Sequence, residues 1–137
     1  MKKLVFLFAI LFVSKSAFAQ VTWSENVAPI LFEHCTKCHH DGGIGPSSLM
    51  TFDDAYNNQA GILGAITSGQ MPPWPADPNY RHFVGENVLT QAEKQAIEDW
   101  ITGGAASGDL ALAPATPSYN NNSQLVSVDQ TYLTPNY

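Results

Sequence analysis

The sequence predicts a small all-α domain of about three helices, followed by a non-helical C-terminal tail. The chain has 137 residues, which is enough for one domain. Apolar residues recur at helical spacing in three segments before residue 105. Residues 125–133 have the β-forming composition of a strand, and nothing earlier offers a partner strand.

The first nineteen residues have the three parts of a secretory signal peptide. Lys2 and Lys3 precede the ten-residue apolar run Leu4–Val13, and Ala17-Phe18-Ala19 is a small-x-small cleavage site. The apolar run is too short to span a hydrocarbon core of about 30 Å, and the clean cleavage site argues against an uncleaved anchor. We therefore expect a mature chain from Gln20 that is periplasmic or extracellular and has no membrane span after cleavage.

The charge of the chain excludes one class of function. Six basic residues stand against twelve acidic ones, for a formal net charge of −6. Cleavage after Ala19 would leave three basic residues against the twelve acidic ones, or −9. Nucleic-acid binding needs a basic face, so we expect none. An acidic surface favours protein partners with a basic docking face.

The first predicted helix begins near Ser24 as its N-cap and carries Pro29 in an early turn. One face of this helix combines six residues at spacings of one, three and four: Val27, Ile30, Leu31, His34, Cys35 and Cys38. The run Asp41–Pro46 is rich in glycine and must end the helix in a loop.

A second helix is predicted from near Thr51 to about Ser68, with an apolar side formed by Ile62, Leu63 and Ile66. Gly61 and Gly64 weaken it by roughly 1 kcal/mol each relative to Ala, so it needs tertiary packing.

A proline-rich loop follows, and then the clearest helix. Thr90 and Glu93 form a capping box, a buried stripe includes Ile97 and Trp100, and Gly103-Gly104 ends the helix. We place the folded domain at residues 20–108. Residues 109–137 form a Pro/Asn-rich linker and the strand-like tail, which pairs elsewhere or begins a further domain.

The run Cys35-Thr36-Lys37-Cys38-His39 is a C-x-x-C-H motif, which in an exported chain indicates covalent attachment of a c-type haem. Each thiol can form a thioether to a haem vinyl group, and the next residue offers an imidazole to the iron. Three alternatives stay open: a redox-active thiol pair, a structural disulfide, and half a zinc site completed by other histidines (His34, His40 and His82).

A haem needs a second axial ligand and a pocket. Met71 is the candidate ligand because it lies in the stiff run Gln70-Met71-Pro72-Pro73-Trp74, with His82 as the runner-up. The Pro46 carbonyl is expected to accept the second ring N–H of His39 and orient the ring. Trp74 is a candidate wall of the haem pocket.

The Cys35–His39 motif, Gly45-Pro46, Met71 and the helix of Trp100 together resemble class I c-type cytochromes, over about residues 21–108. The run around Met71 looks more like single-haem modules at the front of large exported bacterial proteins. In some relatives a redoxin-like or copper-dependent monooxygenase-like domain follows, and the tail from Leu125 resembles the entry strand of the latter.

The resemblance implies a small cytochrome c fold of about three helices around one covalently bound haem c. It implies single-electron transfer between redox partner proteins, with iron ligated by His39 and Met71 and no enzymatic activity of this chain alone. The alternatives are an electron-entry module of a larger exported oxidoreductase, or a five-coordinate haem enzyme or sensor if Met71 does not ligate.

Overall fold

The computed structural model of the protein describes residues 20–74, 76–77 and 79–120. The predicted signal peptide and the strand-like tail lie outside the described residues. Within them the chain has four α-helices and no β-strand, which confirms the all-α prediction. The helices are α1 (Ala28–His34), α2 (Phe52–Asn57), α3 (Gln59–Thr67) and α4 (Gln91–Thr102).

The first helix differs from the prediction at both ends. A π-helical turn, Trp23–Val27, leads into α1, so Ser24 lies buried inside a turn and Thr22 occupies the N-cap position. This wider turn precedes Pro29, whose ring lacks an N–H and would crowd the carbonyl four residues earlier in a regular helix.

The helix ends at His34, so the prediction that Cys38 lies on its face is wrong. The carbonyls of Cys38 and His39 accept hydrogen bonds from the loop donors Gly45 and Leu49, at 2.8 and 2.9 Å, in place of helical ones. Gly42, with a φ of 76°, turns the chain away from helical geometry. The Cys35–His39 motif therefore lies in a series of turns that follow the helix.

The predicted second helix is divided into α2 and α3 at Asn58. The Asn58 side chain donates to the Asp54 carbonyl at 2.8 Å and thus competes with the regular backbone ladder. The predicted start is confirmed, since Thr51 and Asp54 form a capping box at the first turn of α2. Ile62 and Ile66 of α3 are buried as expected.

The last helix, α4, matches its prediction. Thr90 and Glu93 form the capping box, and the helix ends at Thr102 with Gly103 as its C-cap. Ile97 and Trp100 are buried, and the Trp100 Nε1 donates to the Ala106 carbonyl at 2.9 Å. This bond fixes the chain that turns back after the helix.

The core lies where α1, α3 and α4 meet the N-terminal turn. The backbone N–H groups of Trp23 and Ser24 donate to the carbonyls of Ala106 and Ser107, at 2.9 and 3.0 Å, which ties the two ends of the helical unit together. None of the helices in the described residues has both the length and the apolar character that a membrane span requires.

Candidate functional site

The site begins with the two cysteines that follow α1. Both thiols are free and half-buried. Between them, Thr36 is fully buried and its hydroxyl donates to the Phe32 carbonyl at 3.0 Å. The threonine therefore anchors this turn to α1 while leaving both thiols partly accessible.

His39 is oriented by a hydrogen bond to the loop that follows it. Its Nδ1 lies 2.9 Å from the carbonyl oxygen of Ser47. Because a carbonyl can only accept, Nδ1 carries the proton, and the lone pair of the neutral ring is on Nε2. Histidines that bind a metal through one ring nitrogen are usually oriented in this way, by a hydrogen bond from the other ring nitrogen.

The acceptor is not the Pro46 carbonyl that the sequence suggested. Pro46 is exposed, and the acceptor is one residue later, at Ser47. The loop is pinned on each side by the backbone bonds of Gly45 to Cys38 and of Leu49 to His39, which sets Ser47 opposite the ring. The role of Pro46 as a haem contact stays a prediction.

Gly45 lies against the imidazole of His39. A Cβ at this position would be 2.7 Å from the His39 Nδ1 and 2.8 Å from the Cys38 carbonyl oxygen. Side-chain carbons do not approach other atoms so closely, so the packing of the ring requires glycine here. The sequence indicates only a turn at Gly45, because the close approach depends on where His39 folds back.

Burial, with a smaller contribution from the neighbouring Cys38, raises the pKa of the Cys35 thiol from 9.0 to about 11. The thiolate is therefore a small minority at neutral pH. Reactive redox cysteines show the opposite behaviour, with a lowered pKa.

Met71 and Trp74 lie on the chain that leaves α3. The backbone N–H groups of Gln70 and Met71 both donate to the Ala65 carbonyl, at 3.0 and 3.1 Å, and the Met71-Pro72 bond is cis. Met71 is half-buried. Its pairing with His39 across an iron stays a prediction.

The indole of Trp74 has a polar atom without a hydrogen bond. Its Nε1 is buried and has no partner among the described residues. The ring packs edge-on against Phe83, with centroids 6.4 Å apart. A buried N–H of this kind calls for an acceptor, which the part of the chain described by the structure does not provide.

His40, which directly follows the motif, has partners of its own. The Nδ1 of His40 lies 2.7 Å from the Thr36 carbonyl oxygen, and its ring stacks on Tyr119 with centroids 4.3 Å apart. The Tyr119 hydroxyl lies 2.7 Å from the Thr36 Oγ1, so this residue of the predicted linker packs back on the Cys35–His39 motif. Sequence reasoning missed Tyr119 because a single tyrosine in a Pro/Asn-rich segment carries no periodic signal.

A second group of chemistry-bearing side chains joins α1 to α4. Glu33, His34 and Glu93 place one ligand atom each within 4.8 Å of the others. The sequence offers no signal for this group because His34 and Glu93 are 59 residues apart.

Comparisons of the chain with protein-family models, with curated proteins and with solved structures give no significant match. The function of the site is therefore inferred from its own residues and from their geometry.

Proposed function

We propose that the protein is a c-type cytochrome that carries single electrons outside the cytoplasmic membrane. One haem would be attached through Cys35 and Cys38 and ligated by His39. The observation that carries the proposal is the state of the His39 ring at the end of a C-x-x-C-H motif. Its Nδ1 donates to the Ser47 carbonyl at 2.9 Å, so its Nε2 is left as the metal-binding nitrogen.

The surroundings of His39 fit such a group. The two thiols are free, as thioether formation requires. Ile44, in the loop next to His39, has 91 % of its surface exposed. An apolar macrocycle would cover surface of this kind, which otherwise contacts water. The buried Nε1 of Trp74 would gain an acceptor from a carboxylate-bearing cofactor.

Two alternatives for the cysteine pair are less well supported. A thiol–disulfide exchange site needs a nucleophilic thiolate, whereas burial holds the pKa of Cys35 at about 11. A zinc site needs further donors, and neither cysteine belongs to the three-donor group found in the described residues. His40 and His82 bond instead to the Thr36 carbonyl and to Glu86.

A haem bound here would carry one electron at a time. Cys35 and Cys38 would fix its position covalently, and the Ser47 carbonyl would hold the His39 ring at one angle. Met71 would offer a thioether, which favours reduced iron and raises the potential. The acidic surface of the mature chain would favour docking of basic redox partners.

The experiment compares the exported wild-type protein with His39→Ala and with His82→Ala, which removes the runner-up axial ligand, an exposed histidine. We expect wild type and His82→Ala to give a redox-active c-type spectrum and His39→Ala to lose it. A folded, colourless wild-type protein would contradict the proposal. Rapid cyanide or carbon monoxide binding, without the ferric thioether–iron band, would instead identify the five-coordinate alternative and remove Met71 as a ligand.

A further inference from the structure

His34, the last residue of α1, is held in one tautomer. Its side chain is only 10 % exposed, and its Nδ1 lies 2.8 Å from the Oδ1 of Asn87. The Asn87 Nδ2 donates to the backbone carbonyl of His34 at 3.0 Å. The NH₂ group of the Asn87 amide therefore faces the backbone of His34, and its oxygen faces the His34 ring. Since the amide oxygen can only accept, Nδ1 carries the proton.

The other ring nitrogen, Nε2, faces carboxylates. The Oε1 of Glu93 lies 3.3 Å from it, and the carboxylate of Glu33 completes a group whose ligand atoms are all within 4.8 Å of one another. In a neutral ring Nε2 is an acceptor, so an acceptor nitrogen and an acceptor oxygen point at each other. A buried pairing of this kind requires a cation between them, either a proton or a metal ion.

The distance suits a metal ion as well as a proton, since the two atoms are also within hydrogen-bonding range. A charge-assisted hydrogen bond between an imidazolium and a carboxylate has a length of about 2.7–2.9 Å. Two ligands at about 2.0–2.1 Å from a tetrahedral zinc ion are roughly 3.3–3.4 Å apart. The observed separation of 3.3 Å between Nε2 and Oε1 matches the second value.

Glu93 is held in place for this role. Its Oε2 accepts from the backbone N–H and from the hydroxyl of Thr90, both at 2.7 Å, which leaves Oε1 directed at His34. Glu33 is exposed, so its carboxylate can close on an ion without disturbing the core. The donor set is therefore one imidazole and two carboxylates, with the ring oriented by Asn87.

We propose that Glu33, His34 and Glu93 form a binding site for one divalent transition-metal cation of the zinc type. The ion links the end of α1 to the first turn of α4, with a fourth position open to water. The site shares no residue with the Cys35–His39 motif, which His34 directly precedes.

The test is calorimetric titration of the untagged exported protein with Zn²⁺. We expect one ion per chain and an affinity at least about 10-fold weaker in Glu33→Gln and in Glu93→Gln. Glu33→Gln changes an exposed side chain, and Glu93→Gln keeps a residue that serves equally in a capping box, so both variants should fold. The control is His82→Asn, which removes a histidine 3.0 Å from Glu86 that is 86 % exposed.

The outcomes distinguish a specific metal site from an ion pair without metal and from adventitious binding at the surface. Wild type and His82→Asn should bind with the same affinity, and Zn²⁺ should raise the melting temperature of both by more than that of Glu33→Gln. Absence of binding at millimolar Zn²⁺ would overturn the proposal and leave a protonated His34 paired with Glu93. Equal affinity of wild type and Glu33→Gln, or loss of binding in His82→Asn, would overturn it as adventitious surface binding.

Discussion

Replacement of Gly45 by Ala tests whether the loop packing holds the His39 ring. The new methyl group would lie 2.7 Å from the His39 Nδ1 and 2.8 Å from the Cys38 carbonyl oxygen, so either the ring or the loop must move. Gly45 is not among the glycines with positive φ, so the cost is steric rather than conformational. Overpacking of this kind costs about 1–3 kcal/mol, and loss of the Nδ1 bond to Ser47 adds roughly 1 kcal/mol.

We expect Gly45→Ala to lower the free energy of unfolding by about 2–4 kcal/mol in urea denaturation followed by tryptophan fluorescence. The matched control is Gly61→Ala in α3, where an added Cβ meets nothing within 4 Å. There the same chemical change should stabilise the protein by up to about 1 kcal/mol. The reasoning would be refuted if Gly45→Ala were as stable as wild type.

Three further predictions concern the core, an acid group and a thiol. Ile97→Ala, at a fully buried position of α4, should lower the free energy of unfolding by about 2–5 kcal/mol, and a loss below about 1 kcal/mol would contradict its place in the core. Burial acts to raise the pKa of Glu93, but hydrogen bonds from Thr90 and the charge of His34 outweigh it and hold this pKa below 4.5. The extra stability of wild type over Glu93→Gln, measured in the presence of a chelator, should therefore be present above pH 4.5 and decline as the pH falls below this value. A stability difference that stays constant from pH 6 to pH 3 would contradict the lowered pKa of Glu93. In haem-free protein at pH 8, Cys35 should be alkylated roughly 100-fold more slowly than in urea, because its pKa of about 11 lowers the thiolate fraction by that factor, and equal rates would show that the thiol is not buried.

The helices that carry local signals could be predicted from the sequence. The capping boxes at Thr51 and Thr90 and the buried pair Ile97 and Trp100 depend on residues three or four positions apart, which periodicity detects. The break at Asn58 could not be predicted, since it depends on the Asn58 side chain adding its own hydrogen bond to the Asp54 carbonyl.

The sequence names the residues of the candidate site but not their contacts. The motif itself names Cys35, Cys38 and His39. The acceptor at Ser47 differs from the expected Pro46 by one residue, because backbone bonds across the loop set its register. The group around His34 escaped prediction because its partners are 53 and 59 residues away along the chain.

The most direct test of the central claim is the intact mass and the pyridine haemochrome spectrum of the exported wild-type protein. We expect a chain that begins at Gln20, heavier by the mass of one haem, with a haemochrome of the thioether-linked type and no alkylatable thiol at Cys35 or Cys38. A mature chain without added mass, in which both thiols react with iodoacetamide after unfolding, would contradict the account.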